Sequence, residues 1–428
     1  MSINRRNFVK ASGLAAAASS TPTILNAQTA KKRVIVVGGG FGGATAARYV
    51  KKFDPEIKVT LVEVNKSYVT CPGSNWVIGG LREMRLITHS YDKLASDNDI
   101  TVVQDWVSHI DTGSRGVKLS SGEFIKYDRL IVSPGIDFRF DAIEGYDEKV
   151  SRTIPHAWKA GAQTIKLRNQ LVEMRDGGLF IIAAPQNPFR CPPGPYERAS
   201  MAAHFLSEFK PRSKILILDA KTKFSKQGLF FEGWRELYGF ESDNSMIEWI
   251  GGAEGEVKAV DAKNNVVIAG ELEEEHQGDV LNIIPPQMAG RIAQAARLAD
   301  DSGWCPVDPE TWESKRVRGI HVIGDAAIAA PLPKSAYAAN SEAKVCAAAV
   351  VDLLNERKPR TPSWVNTCYS LIAPNYGISV AMVYELTAEG VVGKVEGAGG
   401  VTPEDGNHKL EAVFANSWYN NIVTDIFG

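Results

Sequence analysis

The chain has 428 residues, of which 44% are apolar and 23% are charged, and its formal net charge is -2. This length exceeds the size at which a single hydrophobic core usually stops growing, so two or three domains are expected. The near-neutral charge and the lack of a Lys/Arg-rich stretch argue against nucleic acid as a partner.

The first thirty residues have the pattern of an export signal. Arg5 and Arg6 precede the apolar run 13–18, and small residues follow it, as in a signal with basic, apolar and cleavage regions. The paired arginines with Phe8 resemble a twin-arginine signal, a route for proteins already folded around a cofactor. We expect residues 1–30 to direct the protein to the periplasm, and a frayed amino-terminal helix is the alternative. No other apolar run approaches the ~20 residues of a membrane span.

A glycine-rich turn between a predicted strand at 34–37 and a predicted helix at 44–53 has the pattern GxGxxG, formed by Gly38, Gly40 and Gly43. The first glycine permits a tight turn, the second lets the backbone approach a pyrophosphate, and the third lets helix and strand pack closely. The second strand, 58–62, ends at Glu63, which can accept hydrogen bonds from a ribose. Strand, turn, helix and acid together predict a dinucleotide site.

Strands and helices continue to alternate along the chain, which indicates α/β sheets covered by helices. The acidic stretch 271–275 is predicted to be a solvated hairpin or loop. Further strands are predicted at 130–132, 179–183, 214–218, 280–284 and 320–323, and further helices at 196–209 and 335–354.

The turn after the strand at 179–183 lacks the glycines that a second dinucleotide site requires. Its sequence, APQNPFRCPPGP over residues 184–195, places prolines and side chains where a pyrophosphate would approach the backbone. We therefore expect that no nicotinamide cofactor binds there and that another donor supplies the electrons.

The run GIHVIGD at residues 319–325 resembles the second FAD fingerprint of the disulfide reductase family, in which a strand ends in Gly-Asp. In that family the Asp, here Asp325 after Gly324, binds the ribityl chain. Asp325 as the N-cap of the next helix is the alternative. Together with GxGxxG, this signature predicts FAD rather than NAD.

The predicted fold class is α/β, with two Rossmann-like dinucleotide-binding domains of the FAD/NAD-linked disulfide reductase type and a carboxy-terminal α+β interface domain. Residues 31–145 and 278–357 are expected to form a discontinuous FAD domain, and 146–277 the second dinucleotide fold. Residues 358–428 are expected to form the third domain, with strand and polar turn at 408–428.

Five cysteines are present, an odd number for a protein expected in an oxidising compartment, so at least one is unpaired. Cys191 lies in the proline-rich loop just before a predicted helix, whose N-terminus can stabilise a thiolate. Cys346 is predicted to be a small core residue and Cys305 a structural one. The spacing does not fix a pairing. The other two are Cys71 and Cys368.

Several stretches resemble segments of the flavoprotein subunits of flavocytochrome c sulfide dehydrogenase. They are RCPPGPYERA at 190–199, NTCYS at 366–370 and SWYNN at 417–421. The similarity runs over essentially the whole chain after the signal, including GWCP at 303–306 and PKS at 333–335.

The resemblance implies a redox-active disulfide between Cys191 and Cys368 beside the FAD, with a structural disulfide as the alternative. It also implies that Cys71 carries the flavin as a thioether, with a free or structural thiol as the alternative. Asn75 is placed with the cofactor-binding residues. No metal site is predicted.

Two charged residues are further candidates for the flavin site. Glu197 is the candidate for handling the proton of sulfide, and an exposed first-turn glutamate is the alternative. Lys334 is the candidate for stabilising reduced flavin, and a surface lysine is the alternative.

The resemblance implies oxidation of hydrogen sulfide to sulfur or polysulfide, with electrons passed to a c-type cytochrome subunit. The chain contains no CxxCH, so haem c belongs to that partner. Trp418 and Tyr419 are candidates for the interface. A sulfide:quinone oxidoreductase is the alternative enzyme, which a carboxy-terminal amphipathic membrane helix would favour. A non-catalytic flavoprotein scaffold for a cytochrome is the alternative without catalysis.

Overall fold

A computed structural model describes residues 32–428. The predicted export signal at 1–30 lies outside the described residues.

The predicted strand–turn–helix–strand unit is present near the amino end of the described chain. The elements to residue 152 are β1 (Arg33–Val37), α1 (Phe41–Phe53), β2 (Lys58–Val62), β3 (Ser67–Val69), α2 (Ser74–Ile78), a 3₁₀ turn (Met84–Ile87), β4 (Thr88–Ser90), α3 (Asp92–Asn98), β5 (Ile100–Val103), β6 (Val107–Asp111), β7 (Gly116–Leu119), β8 (Phe124–Lys126), β9 (Arg129–Val132), β10 (Ile136–Phe138) and 3₁₀ turns at Phe140–Ala142 and Val150–Arg152.

The middle of the chain repeats the alternation of strand and helix. Its elements are α4 (Ala162–Glu173), β11 (Leu179–Ala184), α5 (Gly194–Phe209), β12 (Lys214–Asp219), α6 (Gln227–Tyr238), β13 (Ile247–Gly251), a 3₁₀ turn (Ala253–Gly255), β14 (Val257–Asp261), β15 (Val266–Ala269), β16 (Glu274–Gln277), β17 (Val280–Ile283) and β18 (Gln287–Ala289).

The carboxy-terminal part contains the longest strands of the described chain. Its elements are α7 (Arg291–Ala295), β19 (Cys305–Pro306), β20 (Ile320–Val322), a 3₁₀ turn (Gly324–Ala326), β21 (Ala327–Ile328), α8 (Ala336–Leu354), β22 (Ser363–Ala373), β23 (Tyr376–Leu386), β24 (Val392–Val401) and α9 (His408–Phe427).

Two parallel sheets confirm the predicted α/β class. The first has the strand order β20-β9-β1-β2-β5, and the second has the order β13-β12-β11-β17. The strand residues Val34 and Val36 are fully buried, as expected for parallel strands covered on both faces. The acidic stretch 271–275 lies at the β15–β16 hairpin and is exposed, as predicted.

The prediction that the FAD domain resumes at residue 278 is wrong. β17 pairs in parallel with β11, so it belongs to the second sheet. The chain returns to the first domain at β18, which pairs antiparallel with β10. An apolar run identifies a buried parallel strand, but it does not identify which of two similar sheets the strand joins.

The strand and polar turn predicted at 408–428 are also wrong, because this segment is the helix α9. Asn407 caps it by accepting a hydrogen bond from Leu410 N at 3.0 Å. Its last turn is fixed by Asp425, which accepts from Tyr49 Oη at 2.7 Å and from Lys344 Nζ at 2.8 Å. Tertiary packing of the buried face therefore outweighs the strand preference of its β-branched and aromatic residues.

None of the helices within residues 32–428 is long and apolar enough to cross a membrane.

Candidate functional site

A cavity of about 1080 Å³ opens beside the turn after β1. Its volume is slightly above the usual range for cofactor and ligand sites, about 300–1,000 Å³. The structure brings most of the predicted site residues to its wall: Gly38, Gly40, Glu63, Cys71, Asn75, Cys191, Glu197, Gly324, Asp325 and Cys368.

The glycine turn has the close backbone contacts that the sequence predicts. Gly38 has φ +95°, and a Cβ there would lie 2.3 Å from Ser133 O. A Cβ on Gly43 would lie 1.8 Å from Gly38 O, so Gly43 serves the packing of α1 on β1 and does not line the cavity. Glu63 Oε2 accepts from Gly39 N at 2.8 Å and so connects the end of β2 to the turn.

Asp325 supplies an unused acceptor to the cavity. Its Oδ1 is fully buried and has no hydrogen-bond partner, and burial raises the pKa of the carboxyl. Nη1 of Arg190 lies 3.9 Å from Oδ2. Ser335 caps α8, so the N-cap alternative for Asp325 is wrong. A buried acceptor without a donor fits the hydroxyl groups of a ribityl chain, since orphaned polar atoms are costly.

Lys334 is not among the residues that line the cavity, and it is not a surface lysine. Its ammonium donates to the carbonyls of Asp325 and Ala327, both at 2.8 Å, and lies 3.8 Å from the centre of the Trp304 ring. Burial lowers the pKa of Lys334 to about 8. Its carbonyl accepts from Cys191 N at 2.8 Å. Lys334 therefore supports the cavity wall from behind.

Cys191 has a backbone φ of +59°, in the left-handed region that non-glycine residues seldom adopt. Gly194 leaves room for it, since a Cβ on Gly194 would lie 3.1 Å from Cys191 Sγ and 2.6 Å from the Trp158 ring. The helix α5 begins at Gly194, so the thiol lies just before a helix N-terminus, as predicted.

Cys191 lies in the loop after β11 and Cys368 lies on β22, and both line the same cavity. All five cysteines lie in the described part of the chain, and each is a free thiol in the structure. Burial raises the pKa of the Cys191 thiol, and the negative charges of Cys368 and Glu197 raise it further. Burial also raises the pKa of Cys368, and the ammonium of Lys226 opposes this effect.

Glu197 is not an exposed first-turn glutamate. Its Oε1 accepts from Trp76 Nε1 and from Leu371 N, each at 3.0 Å, and its Oε2 accepts from Asn75 Nδ2 at 2.9 Å. Asn75 in turn accepts from Arg198 Nε at 3.1 Å. Asn75 therefore connects two charged residues of α5 to the segment that follows Cys71.

The remaining cysteines have different surroundings. Cys71 lines the cavity, and its Sγ donates to Trp158 O at 3.5 Å. Cys305 and Cys346 are fully buried, and burial raises the pKa of Cys305 to about 12. Cys71 is thus the third thiol available to a molecule in the cavity.

The second dinucleotide crevice is filled by the protein's own side chains. Asp219, at the end of β12, is fully buried and accepts hydrogen bonds from Tyr196, Lys221 and Trp249. Lys221 also donates to Pro185 O at 2.7 Å. The acid that would accept a ribose hydroxyl is therefore already satisfied, and the turn that would hold a pyrophosphate is bonded to a lysine.

Sequence reasoning missed three cationic side chains around the cysteines, namely Arg190, Arg198 and Lys226. Arg198 is 1% exposed and donates to the carbonyls of His156 and Ala157. These three side chains donate largely to carbonyl oxygens of segments that are distant in sequence. Such contacts produce no recognisable sequence pattern. For Arg190, its position directly before Cys191 was the available signal.

Three family descriptions match successive parts of the chain. Residues 32–172 match pyridine nucleotide-disulphide oxidoreductase. Residues 164–285 match the central part of the flavoprotein chain of sulfide dehydrogenase (flavocytochrome c), and residues 360–427 match the flavin-binding part of flavocytochrome c sulphide dehydrogenase.

Individual relatives agree with these matches. The flavoprotein chain of sulfide dehydrogenase (flavocytochrome c) from Chlorobaculum thiosulfatiphilum is 65% identical over 46 residues, 11% of this chain and 96% of that sequence. A mitochondrial sulfide:quinone oxidoreductase from Dictyostelium discoideum is 22% identical over 330 residues, 74% of this chain and 69% of its own. The crystal structure of the Aquifex aeolicus sulfide:quinone oxidoreductase shares the fold, with a TM-score of 0.72, 18% identity and 92% coverage of both chains.

We predict that NADH and NADPH do not reduce the FAD, because Asp219 and Pro185 are occupied by Lys221 and its neighbours. Flavin absorbance would be followed by stopped flow after mixing the holoprotein with each nucleotide, with dithionite as the control reductant. Bleaching by either nucleotide as rapid as bleaching by dithionite would contradict the prediction.

Proposed function

The chain belongs to the flavoprotein family of flavocytochrome c sulfide dehydrogenase, and from this membership we propose that it oxidises hydrogen sulfide at a Cys191–Cys368 disulfide. FAD binds in the cavity, where the glycine turn holds its pyrophosphate and Asp325 accepts from its ribityl hydroxyl groups. The observation that carries the proposal is that Cys191 and Cys368, far apart in sequence, line the cavity that also contains both FAD signatures.

The chemistry begins with a small anionic nucleophile. Hydrosulfide attacks one sulfur of the disulfide, giving a persulfide on one cysteine and a thiolate on the other. Glu197 lies close enough to influence both thiols and is the proposed acceptor of the sulfide proton. Bound FAD supplies a two-electron acceptor that can release electrons singly. The proposed product is sulfur or polysulfide.

A c-type cytochrome is the proposed electron acceptor, and it carries the haem. An apolar stripe on α9 supports a docking surface: Leu410, Val413 and Phe414 are 45%, 59% and 44% exposed and share one helix face. Trp418, one turn further along this face, lines the cavity. Tyr419 is 1% exposed and bonds to Thr70, so its predicted place at the interface is wrong.

Export by a twin-arginine signal and a periplasmic location remain part of the proposal. Their support is Arg5 and Arg6 with the apolar run that follows, together with the implied need to fold around FAD before export.

Replacing either cysteine is expected to show whether the Cys191–Cys368 pair has a redox role or a structural one. Cys191→Ser and Cys368→Ser should each abolish flavin reduction by sulfide while FAD stays bound, because the electrophilic S–S bond is lost. Loss of a structural bridge instead costs about 2–5 kcal/mol of stability. Rates and melting temperatures would be measured on the same preparations. A less stable variant that is reduced at the wild-type rate would make the pair structural.

We also propose that Cys71 carries FAD covalently, since its thiol lines the cavity. Mass spectrometry of the denatured holoprotein should find the flavin adduct on the peptide containing Cys71. A Cys71→Ser variant should release its flavin on denaturation. An unmodified Cys71 peptide from fully loaded protein would exclude the link.

A sulfide:quinone oxidoreductase is the second candidate, because α9 is helical where the sequence predicted a strand and it exposes apolar side chains. We predict that sulfide-reduced protein reduces a c-type cytochrome and not a short-chain ubiquinone. Phe414→Asp should slow cytochrome reduction at least about tenfold, because a charge opposes apolar docking, and leave flavin reduction unchanged. Leu272→Asp, in the β15–β16 hairpin, is the matched control. Turnover with quinone alone would favour the second candidate.

A further inference from the structure

A buried lysine contacts the strand that carries Cys368. Lys226 is 8% exposed, and its Nζ donates to Ser370 Oγ at 2.9 Å and to Cys368 O at 3.3 Å. It lies in the left-handed region, with φ +64°, immediately before α6. Neither contact is a salt bridge, and no carboxylate of residues 32–428 pairs with this ammonium.

The two cysteines therefore have unequal surroundings. Around Cys368, Lys226 provides a positive charge and Glu197 of α5 a negative one, and the residue opposite on β23 is the neutral Val380. Glu411 of α9 and Tyr337 of α8 act on the neighbouring Tyr369. Around Cys191, the thiols of Cys71 and Cys368 and the carboxylate of Glu197 are negative influences, and Arg190 and Arg198 are positive ones.

We propose that Lys226 is a positioning residue that makes Cys368 the sulfur that leaves as a thiolate, so that sulfide attacks Cys191. This inference rests on the proposed sulfide chemistry. A bond forms between the sulfide sulfur and Cys191 Sγ as the Cys191–Cys368 bond breaks. The electron pair leaves with Cys368 Sγ, and the proton of hydrosulfide is at first on the terminal sulfur of the Cys191 persulfide, from which Glu197 is its proposed acceptor. No other reactant is needed.

The direction follows from the leaving group. In thiol–disulfide exchange the better leaving sulfur is the one whose thiolate is more stable. An ammonium close to a thiolate stabilises it, and the low dielectric of a buried site strengthens this effect. The hydrogen bonds to Cys368 O and Ser370 Oγ fix the ammonium before the reaction starts, so little reorganisation is required.

The first test measures thiolate stability without any catalytic turnover. The reduced holoprotein would be alkylated with iodoacetamide over a range of pH, and the Cys368 peptide would be quantified by mass spectrometry. In Lys226→Met the alkylation midpoint should rise by about one pH unit, so that alkylation below the midpoint is about tenfold slower. Lys226→Arg should restore the wild-type midpoint. Lys223→Met, an exposed lysine of the same loop, is the matched control.

The second test locates the persulfide. After one equivalent of sulfide and an iodoacetamide quench, the wild-type protein should carry its persulfide on Cys191, and Lys226→Met should carry a part of it on Cys368. Lys226→Gln serves where the Met variant does not fold. An unchanged midpoint and an unchanged persulfide position in the neutral variants would overturn the role of Lys226. A wild-type protein that forms no persulfide on either cysteine would overturn the sulfide chemistry, and the alkylation midpoints would still report on Lys226.

Discussion

The carboxylate of Glu197 connects the three chain segments that carry the cavity cysteines. Glu197 itself lies on α5, which begins directly after the Cys191 loop. It accepts from Asn75 and Trp76, which follow Cys71, and from the backbone of Leu371, which follows Cys368. Hydrogen bonds to a charged carboxylate are stronger than those to a neutral acceptor, and Glu197 accepts three of them. Removing the carboxylate would leave these three N–H groups without an acceptor. The relative placement of the thiols therefore depends on this side chain before any role in proton transfer.

The second dinucleotide fold illustrates how one architecture is adapted to a different electron source. In Asp219 the chain keeps an acid at the end of a strand, the position at which such folds bind a ribose. Tyr196, Lys221 and Trp249 satisfy this acid internally. Tyr196 belongs to the same helix as Glu197, so the helix that closes the nicotinamide crevice also orders the cysteine site. One helix thus contributes both to the hydrogen bonds of Asp219 and to the order of the cysteine site.

The sequence predicted the parts of the site that depend on backbone conformation. Gly38 and Gly43 are required by contacts of 2.3 and 1.8 Å that only glycine avoids, and such requirements are visible as spacing. The contacts of Lys334 left no sequence signal, because its ammonium donates to two backbone carbonyls and any residue can supply a carbonyl. The helix α9 was missed because tertiary contacts such as those of Asp425 stabilise it. The sheet that β17 joins is likewise a long-range choice that local pattern does not encode.

The buried cationic side chains near the cysteines also have partners that the sequence does not reveal. Arg198, Lys226 and Lys334 donate to carbonyl, amide or hydroxyl oxygens, and none of these hydrogen bonds is to a carboxylate. A carbonyl dipole fixes the position of a cation, whereas a carboxylate would also cancel its charge. Hydrosulfide and thiolate are anions, and a water-poor cavity stabilises them through charges that are already oriented. Because Lys226 is held by a hydroxyl and a backbone carbonyl, its charge remains available to the sulfur of Cys368.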